Sequence, residues 1–229
     1  MDKIVSVFQF EIRYNHILNF SQIARKILSP YVKLAQSIKL ENQNTINEQI
    51  ILNFENDDYV IIVSWDRILI KGQESLDNYI IKNSPIEMPF FSILNKISSL
   101  EEFGSIQNIL LAVNYIKEIE KTNLSKFMEK TIQETTSNVL DDLTDIAITL
   151  ERNKKNEKVM LSFGPYSGPL ELSNRPLVPV NLKTLSNTNF SGVMLEYKCF
   201  KIVNKVTFND FINMTKESNE LFKKVWNTL

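Results

Sequence analysis

The chain has 229 residues, 43% of them hydrophobic and 23% charged, enough apolar material to bury a core and to exclude wholesale disorder. Its 26 basic and 27 acidic residues leave a formal charge of −1, without the basic excess that phosphate neutralisation requires, which counts against nucleic acid as the main partner. The single cysteine, Cys199, rules out an internal disulfide and a Cys-based metal site and fits a reducing compartment.

The N-terminal stretch is broken by Gln9, Glu11 and Arg13 and lacks the layout of a secretory leader. No apolar run reaches the ~18 residues that a membrane span needs. The expected location is cytoplasmic, with no membrane partner.

In chain order, Lys3 to Tyr14 alternates as a strand, with Ile4, Phe8, Phe10, Ile12 and Tyr14 on one side. A short helix follows, with Asn19 or Ser21 near its N-cap and Ile23, Ile27 and Leu28 on one stripe, ending before Pro30. Ile38 to Leu40 and Glu48 to Glu55 read as strands. The second turns through Asn56-Asp57-Asp58 into one long strand from Tyr59 to Lys71, ended by Gly72. Within that strand, period 2 would put Trp65 toward the core and bring Arg67 back to the same side, either paired in a salt bridge or lining a groove. Ser75 then caps a helix, and after Pro85 the residues Ile86, Phe90, Ile93, Leu94 and Ile97 follow helical spacing.

Past Gly104, Ile109 to Ile119 reads as a central strand covered on both faces. A helix from about Ser125 and strands at Ile146 to Leu150, Lys158 to Phe163 and Val193 to Val203 follow, the first two of these strands joined by the charged turn Arg152 to Glu157. The last helix starts after Thr207 and presents Phe208, Phe211, Ile212, Phe222, Val225 and Trp226. Between the last two strands, residues 164–180 hold Pro165, Pro169, Pro176 and Pro179 with Gly164 and Gly168, a long irregular loop of the kind that often carries function.

Both parts of the chain share the order strand, helix, strands, helix. Asn19 to Lys26 lines up with Asn123 to Lys130, and Val60 to Ile80 with Val193 to Ile212, so that Ser75 meets Thr207 and Tyr79 meets Phe211. The expectation is an α+β fold of two similar halves, residues 1–104 and 105–229, forming a mainly antiparallel sheet backed by helices, with the Gly/Pro-rich loop at 164–180 in the second half.

The opening IVSVFQFEIRY, the mid-chain NILLAVNYIKEIE and the ending VMLEYKCF with TFNDFINMTKESNELFKKVW are similar to a sporadically distributed family of bacterial proteins of unknown function. The chain departs from that family's pattern in lacking an Arg-Tyr pair near Val113 to Tyr115. The resemblance implies an accessory role in mobile conflict systems such as phage defence, and it supplies no catalytic residues.

Chemistry-bearing residues are sparse. The only histidine, His16, follows the first strand and reads as a surface turn residue. Cys199 lies within a strand and reads as a small buried hydrophobe. The five glycines form neither GxGxxG nor a Walker loop, and no cofactor is implied. The leading expectation is a non-enzymatic binding or regulatory protein that contacts a protein partner through Phe163, Tyr166, Leu170, Arg175, Trp65 and Arg67, with self-association into a homo-oligomer left open. Two alternatives are a metal-dependent phosphodiesterase or nuclease built on Asp141, Asp142 and Asp145 and a nucleic-acid or nucleotide sensor on a sheet face.

Overall fold

The structure is a computed structural model that describes residues 4–54, 59–73, 76, 84, 86–119, 146–168 and 191–228. Nine strands, β1 (Ile4–Tyr14), β2 (Ser37–Glu41), β3 (Gln49–Phe54), β4 (Tyr59–Ser64), β5 (Arg67–Gln73), β6 (Ile106–Glu118), β7 (Ile148–Lys154), β8 (Glu157–Ser167) and β9 (Ser191–Ile202), make one continuous sheet. Their order is β2-β3-β4-β5-β1-β6-β9-β8-β7, with every neighbouring pair antiparallel. Helices α1 (Phe20–Leu28), α2 (Ser92–Ser98) and α3 (Phe208–Thr228) pack against it, α2 entered through a π-helical turn at Ile86–Phe91. The architecture is α+β, an antiparallel sheet backed by helices. Among the described residues no helix is long and apolar enough to cross a membrane.

The alternation read along β1 sends Phe8, Phe10, Ile12 and Tyr14 to the helical side, where they join Ile109, Leu111, Val113 and Tyr115 of β6 in one buried cluster. Phe10 is its centre: its ring lies 5.1 Å from Phe211 in an edge-on contact and 5.9 Å from Phe90, the arrangement that aromatic quadrupoles favour. Thr207 opens α3 through an N-terminal clasp in which its N–H and hydroxyl both donate to the Asp210 carboxylate at 2.7 Å. The helix is pinned again further along, where Tyr115 stacks on Phe222 at 4.5 Å and its hydroxyl meets Ser218 Oγ at 2.9 Å. The innermost positions of α3 are therefore Phe211, Met214, Thr215 and Ser218, all fully buried. Phe208, Phe222 and Val225, expected on the same face, are half-buried and pack against that core, whereas Ile212 and Trp226 are half-buried without belonging to it.

Three expectations change. Tyr59 to Lys71 is two strands, not one, because the chain reverses at Trp65-Asp66 and β4 pairs back on β5 from Tyr59↔Gly72 to Val63↔Ile68. Neither turn residue takes a positive φ, so the reversal lacks the Asn-Gly chemistry that marks hairpins in a sequence. Tertiary bonds hold it instead. The Tyr14 hydroxyl reaches the Ser64 and Arg67 carbonyls at 2.7 and 3.0 Å, Ser64 Oγ donates to Asp66 at 2.8 Å, and the backbone N–H groups of Tyr14 and Ile17 donate to the Asp66 and Trp65 carbonyls. Burial pushes the Tyr14 phenol well above its ordinary range, which keeps it a neutral donor.

Second, Gly164 to Ser167 are the end of β8 rather than the start of a loop, paired with β9 from Gly164↔Met194 to Ser167↔Ser191. Pro165 is tolerated there on an extended backbone, and its partner strand β9 runs close to both β6 and Tyr166 at Gly192. A Cβ at Gly192 would lie 2.2 Å from the Lys117 carbonyl and 2.8 Å from the Tyr166 hydroxyl. Third, the alignment of Val60–Ile80 with Val193–Ile212 sets a hairpin, β4 and β5, against the single strand β9. Outward from the central pair, β1 is followed by β5, β4, β3 and β2, and β6 by β9, β8 and β7. That order describes arrangement, not ancestry. The Asn123–Lys130 segment of the other alignment lies outside the described residues, as do the proposed helix from Ser125 and all but Leu76 of the one after Gly72.

Tyr14→Phe should test the tie between β1 and the hairpin. Removing the hydroxyl strips the donor from two part-buried carbonyls, at an expected cost of about 2 kcal/mol. Urea unfolding checks this, with an unchanged denaturant slope expected if the fold is otherwise kept.

Candidate functional site

The loop between β2 and β3 is built around one buried carboxylate. Asn42 and Asn44 adopt left-handed backbone conformations, φ 52° and 60°, which Asn accepts more readily than other side-chain-bearing residues. Thr45 Oγ1 donates to the Asn42 carbonyl at 2.7 Å, and the Asn47 N–H donates back to Thr45 Oγ1 at 3.1 Å. These bonds carry the chain to Glu48, which is 2% exposed. Its Oε2 accepts the Asn44 N–H at 2.9 Å and the Ser21 hydroxyl from the first turn of α1, where the helix dipole favours negative charge. Its Oε1 is buried and meets no hydrogen-bond donor among the described residues.

Opposite this loop, the β4–β5 turn presents Trp65, half-buried and stacked on the exposed His16 ring at 4.1 Å and 12°. Trp65 and Ile46 form a partition between two openings. One, about 520 Å³, lies between the first turn of α1 and the Asn44–Glu48 loop, with Glu48 in its wall. The other, about 250 Å³, lies over Asn47, Gln49, Asp66 and Arg67. Leu18 and Ile46 line the larger cleft and are 86% and 71% exposed, beside exposed Asn19, Gln22, Asn44 and Thr45, while its buried lining consists of Ile17, Phe20 and Glu48. A cleft of this volume is within the usual range for a small ligand or an inserted side chain.

Trp65 and Arg67 are thus brought together, though not by the predicted geometry. Trp65 sits in a turn rather than in mid-strand, and Arg67 opens β5 with its Nε 4.0 Å from Asp66 Oδ1 and without a hydrogen-bond partner among the described residues. Phe163 and Tyr166 are not part of the same site. Phe163 packs half-buried against the core and Tyr166 is 1% exposed, so the surface role expected for Tyr166 is corrected: its ring is inside the sheet's packing. Tyr166 pairs with Gly192, whose β6 partner Glu118 lies beside the start of β1, whereas the Trp65-Asp66 turn is tied to its end, where the Tyr14 N–H donates to the Asp66 carbonyl. The two are some 30 Å apart along the sheet. Leu170, Arg175, Asp141, Asp142 and Asp145 lie outside the described residues. Glu48 escaped the sequence reading; its only local signal is the Asn-rich run before it, which marks a turn but not a buried acid.

A second cluster gathers at the far edge of the sheet. Glu157, Cys199 and Glu217 bring ligand atoms within 4.8 Å of one another. Arg152 spans both carboxylates, at 2.8 Å to Glu157 and 2.6 Å to Glu217, and Lys201 adds a bond to Glu157 at 2.9 Å. With two cations already on the carboxylates, a metal would have to displace them, and burial pushes the Cys199 thiol up, away from the thiolate form that binds metal. The cluster is an ion-pair network that fastens the β7–β8 hairpin to β9 and α3.

Bonding to Lys201, and then to Arg152, holds the Glu157 carboxyl below its usual range. A lowered folded-state pKa contributes stability that is complete above the ordinary carboxylate value and is lost as pH falls through the folded value. Glu157→Gln should therefore flatten the fall in melting temperature between about pH 5 and pH 3. At pH 7 it should cost no more than about 1 kcal/mol, since the partners are part-exposed.

No family model matches the chain, and no curated protein matches it.

Proposed function

We propose that the chain is a non-enzymatic binding protein that holds a protein partner at the Trp65 cleft. The observation that carries this reading is the exposure of Leu18 and Ile46 beside the half-buried Trp65 ring, in a cleft whose buried lining combines Ile17 and Phe20 with one carboxylate, Glu48. A pocket that desolvates an inserted side chain against aromatic and aliphatic groups is how interface anchors are seated. The loop that forms one wall is internally hydrogen-bonded, so little ordering entropy is lost on contact. The family resemblance supports an accessory role in a bacterial conflict or phage-defence system, acting in the cytoplasm. Self-association into a homo-oligomer through the same cleft is the competing occupant.

The test is affinity capture with native chain and with a Leu18→Ser/Trp65→Ala double variant, captured proteins being identified by mass spectrometry. A partner held by the native chain should be lost from the variant while a cooperative unfolding transition is kept; Trp65 also packs against the core, so its truncation lowers the melting temperature where Leu18→Ser alone does not. Retention of the same partner by the folded variant rejects the site. Tyr166→Ala should behave differently, lowering stability by about 3 kcal/mol in urea, because it empties a buried site.

A further inference from the structure

We infer that the larger Trp65 cleft is a cation subsite for the guanidinium or ammonium head of an Arg or Lys side chain carried by the partner. This deepens the binding-protein reading and rests on it.

The inference starts from Glu48 Oε1. The clasp on the loop and on α1 accounts for Oε2, which receives Ser21 and Asn44. Oε1 is left over, shielded from solvent and without a donor among the described residues. A buried carboxylate oxygen in that position carries an uncompensated desolvation cost. A carboxylate accepts most strongly from a charged N–H donor.

The surroundings select the same chemistry. Among the described residues no Lys or Arg lines the cleft, so none of them gives its acid a countercharge there. The Trp65 ring lies in the same cleft with His16 stacked on one face, so only its opposite face can exert the attraction of an indole for a cation. The exposed Leu18 and Ile46 in its lining suit the methylene stem behind an Arg or Lys head, which packs on apolar surface while its charge reaches a partner. A neutral amide would meet the oxygen but forgo the charge and the ring. An anion would meet a carboxylate.

The experiment follows Trp65 emission in the full chain carrying Trp226→Phe, so that Trp65 is the only indole. Three probes are titrated: n-butylguanidinium, its neutral isostere n-butylurea, and an end-blocked Gly-Arg-Gly peptide. Binding of n-butylguanidinium and of the peptide at least tenfold tighter than n-butylurea, and loss of that preference in Glu48→Gln, is the expected result. Equal binding of n-butylurea overturns the inference on the unmodified site, whether or not Glu48→Gln folds. Binding of n-butylguanidinium without the peptide overturns the partner side chain as the source of the cation. The two readings also fail separately. Cation preference together with partner capture that is indifferent to Leu18→Ser/Trp65→Ala rejects the binding-protein reading, whereas Trp65-dependent capture with no cation preference rejects only the subsite.

Discussion

Eleven residue pairs, from Ile4↔Lys117 to Tyr14↔Ile106, join β1 to β6 in the middle of the sheet, and the remaining strands are added outward from that pair. The pairing brings together residues about a hundred positions apart, so its loop-closure cost must be met by what the two strands bury. Phe8, Phe10, Ile12, Ile109, Leu111 and Val113 are all at 0% exposure, each worth roughly 1.5–3 kcal/mol on burial. The same pair positions the candidate site. Tyr14, the last residue of β1, is 1% exposed and fixes the turn that displays Trp65. A core constraint thus reaches the surface through the Tyr14 phenol and the backbone bonds that Tyr14 and Ile17 make to the same turn.

Period-2 and helical patterns made most of the architecture legible: β1, the central position of β6, the β7–β8 hairpin, the apolar residues of α2 and the Thr207 start of α3 all follow from spacing. What misled was chemistry that only tertiary structure supplies. Trp65-Asp66 carries no turn signal, and the apolar run YVIIV continued by RILI reads as one strand when its fold-back is held by Tyr14, fifty residues away. Gly164-Pro165 looks like a breaker pair, yet pairing to β9 absorbs both. On α3, Ser218 is fully buried with Tyr115 as its partner, and Thr215 is fully buried with its Oγ1 unpartnered among the described residues; small hydroxyls at those positions read as a solvent face from sequence.

The candidate site was half legible for a related reason. Trp65 and Arg67 stood out by interrupting an apolar run. Glu48 did not, since acids are almost never fully buried unless paired and nothing local announces its two donors, one from the loop and one from α1. Tyr166 was misjudged because a tyrosine between Pro165 and Ser167-Gly168 looks like an exposed loop anchor, while the strand register turns it inward.

The sheet's edges bear on which surface remains for a partner. β2 is exposed along its length and offers Ile38 and Leu40 beside unpaired backbone, the layout that invites strand addition. Pairing β2 with a second copy, antiparallel and centred on Lys39, would set Lys39 against Lys39 and Ser37 against Glu41, and like charges directly opposite are destabilising. β7 at the other edge is equally charged, with Glu151, Arg152 and Lys154 exposed. Centred on Leu40 instead, the β2 pairing would set Lys39 against Glu41, and Glu151 can likewise face Arg152 across β7, so charge selects registers at the edges rather than barring them. The Trp65 cleft differs in kind: Leu18 and Ile46 stand exposed in it, and the Oε1 of its buried acid meets no donor among the described residues. Strand addition would use edge backbone, whereas the side-chain subsite proposed at the cleft uses that acceptor.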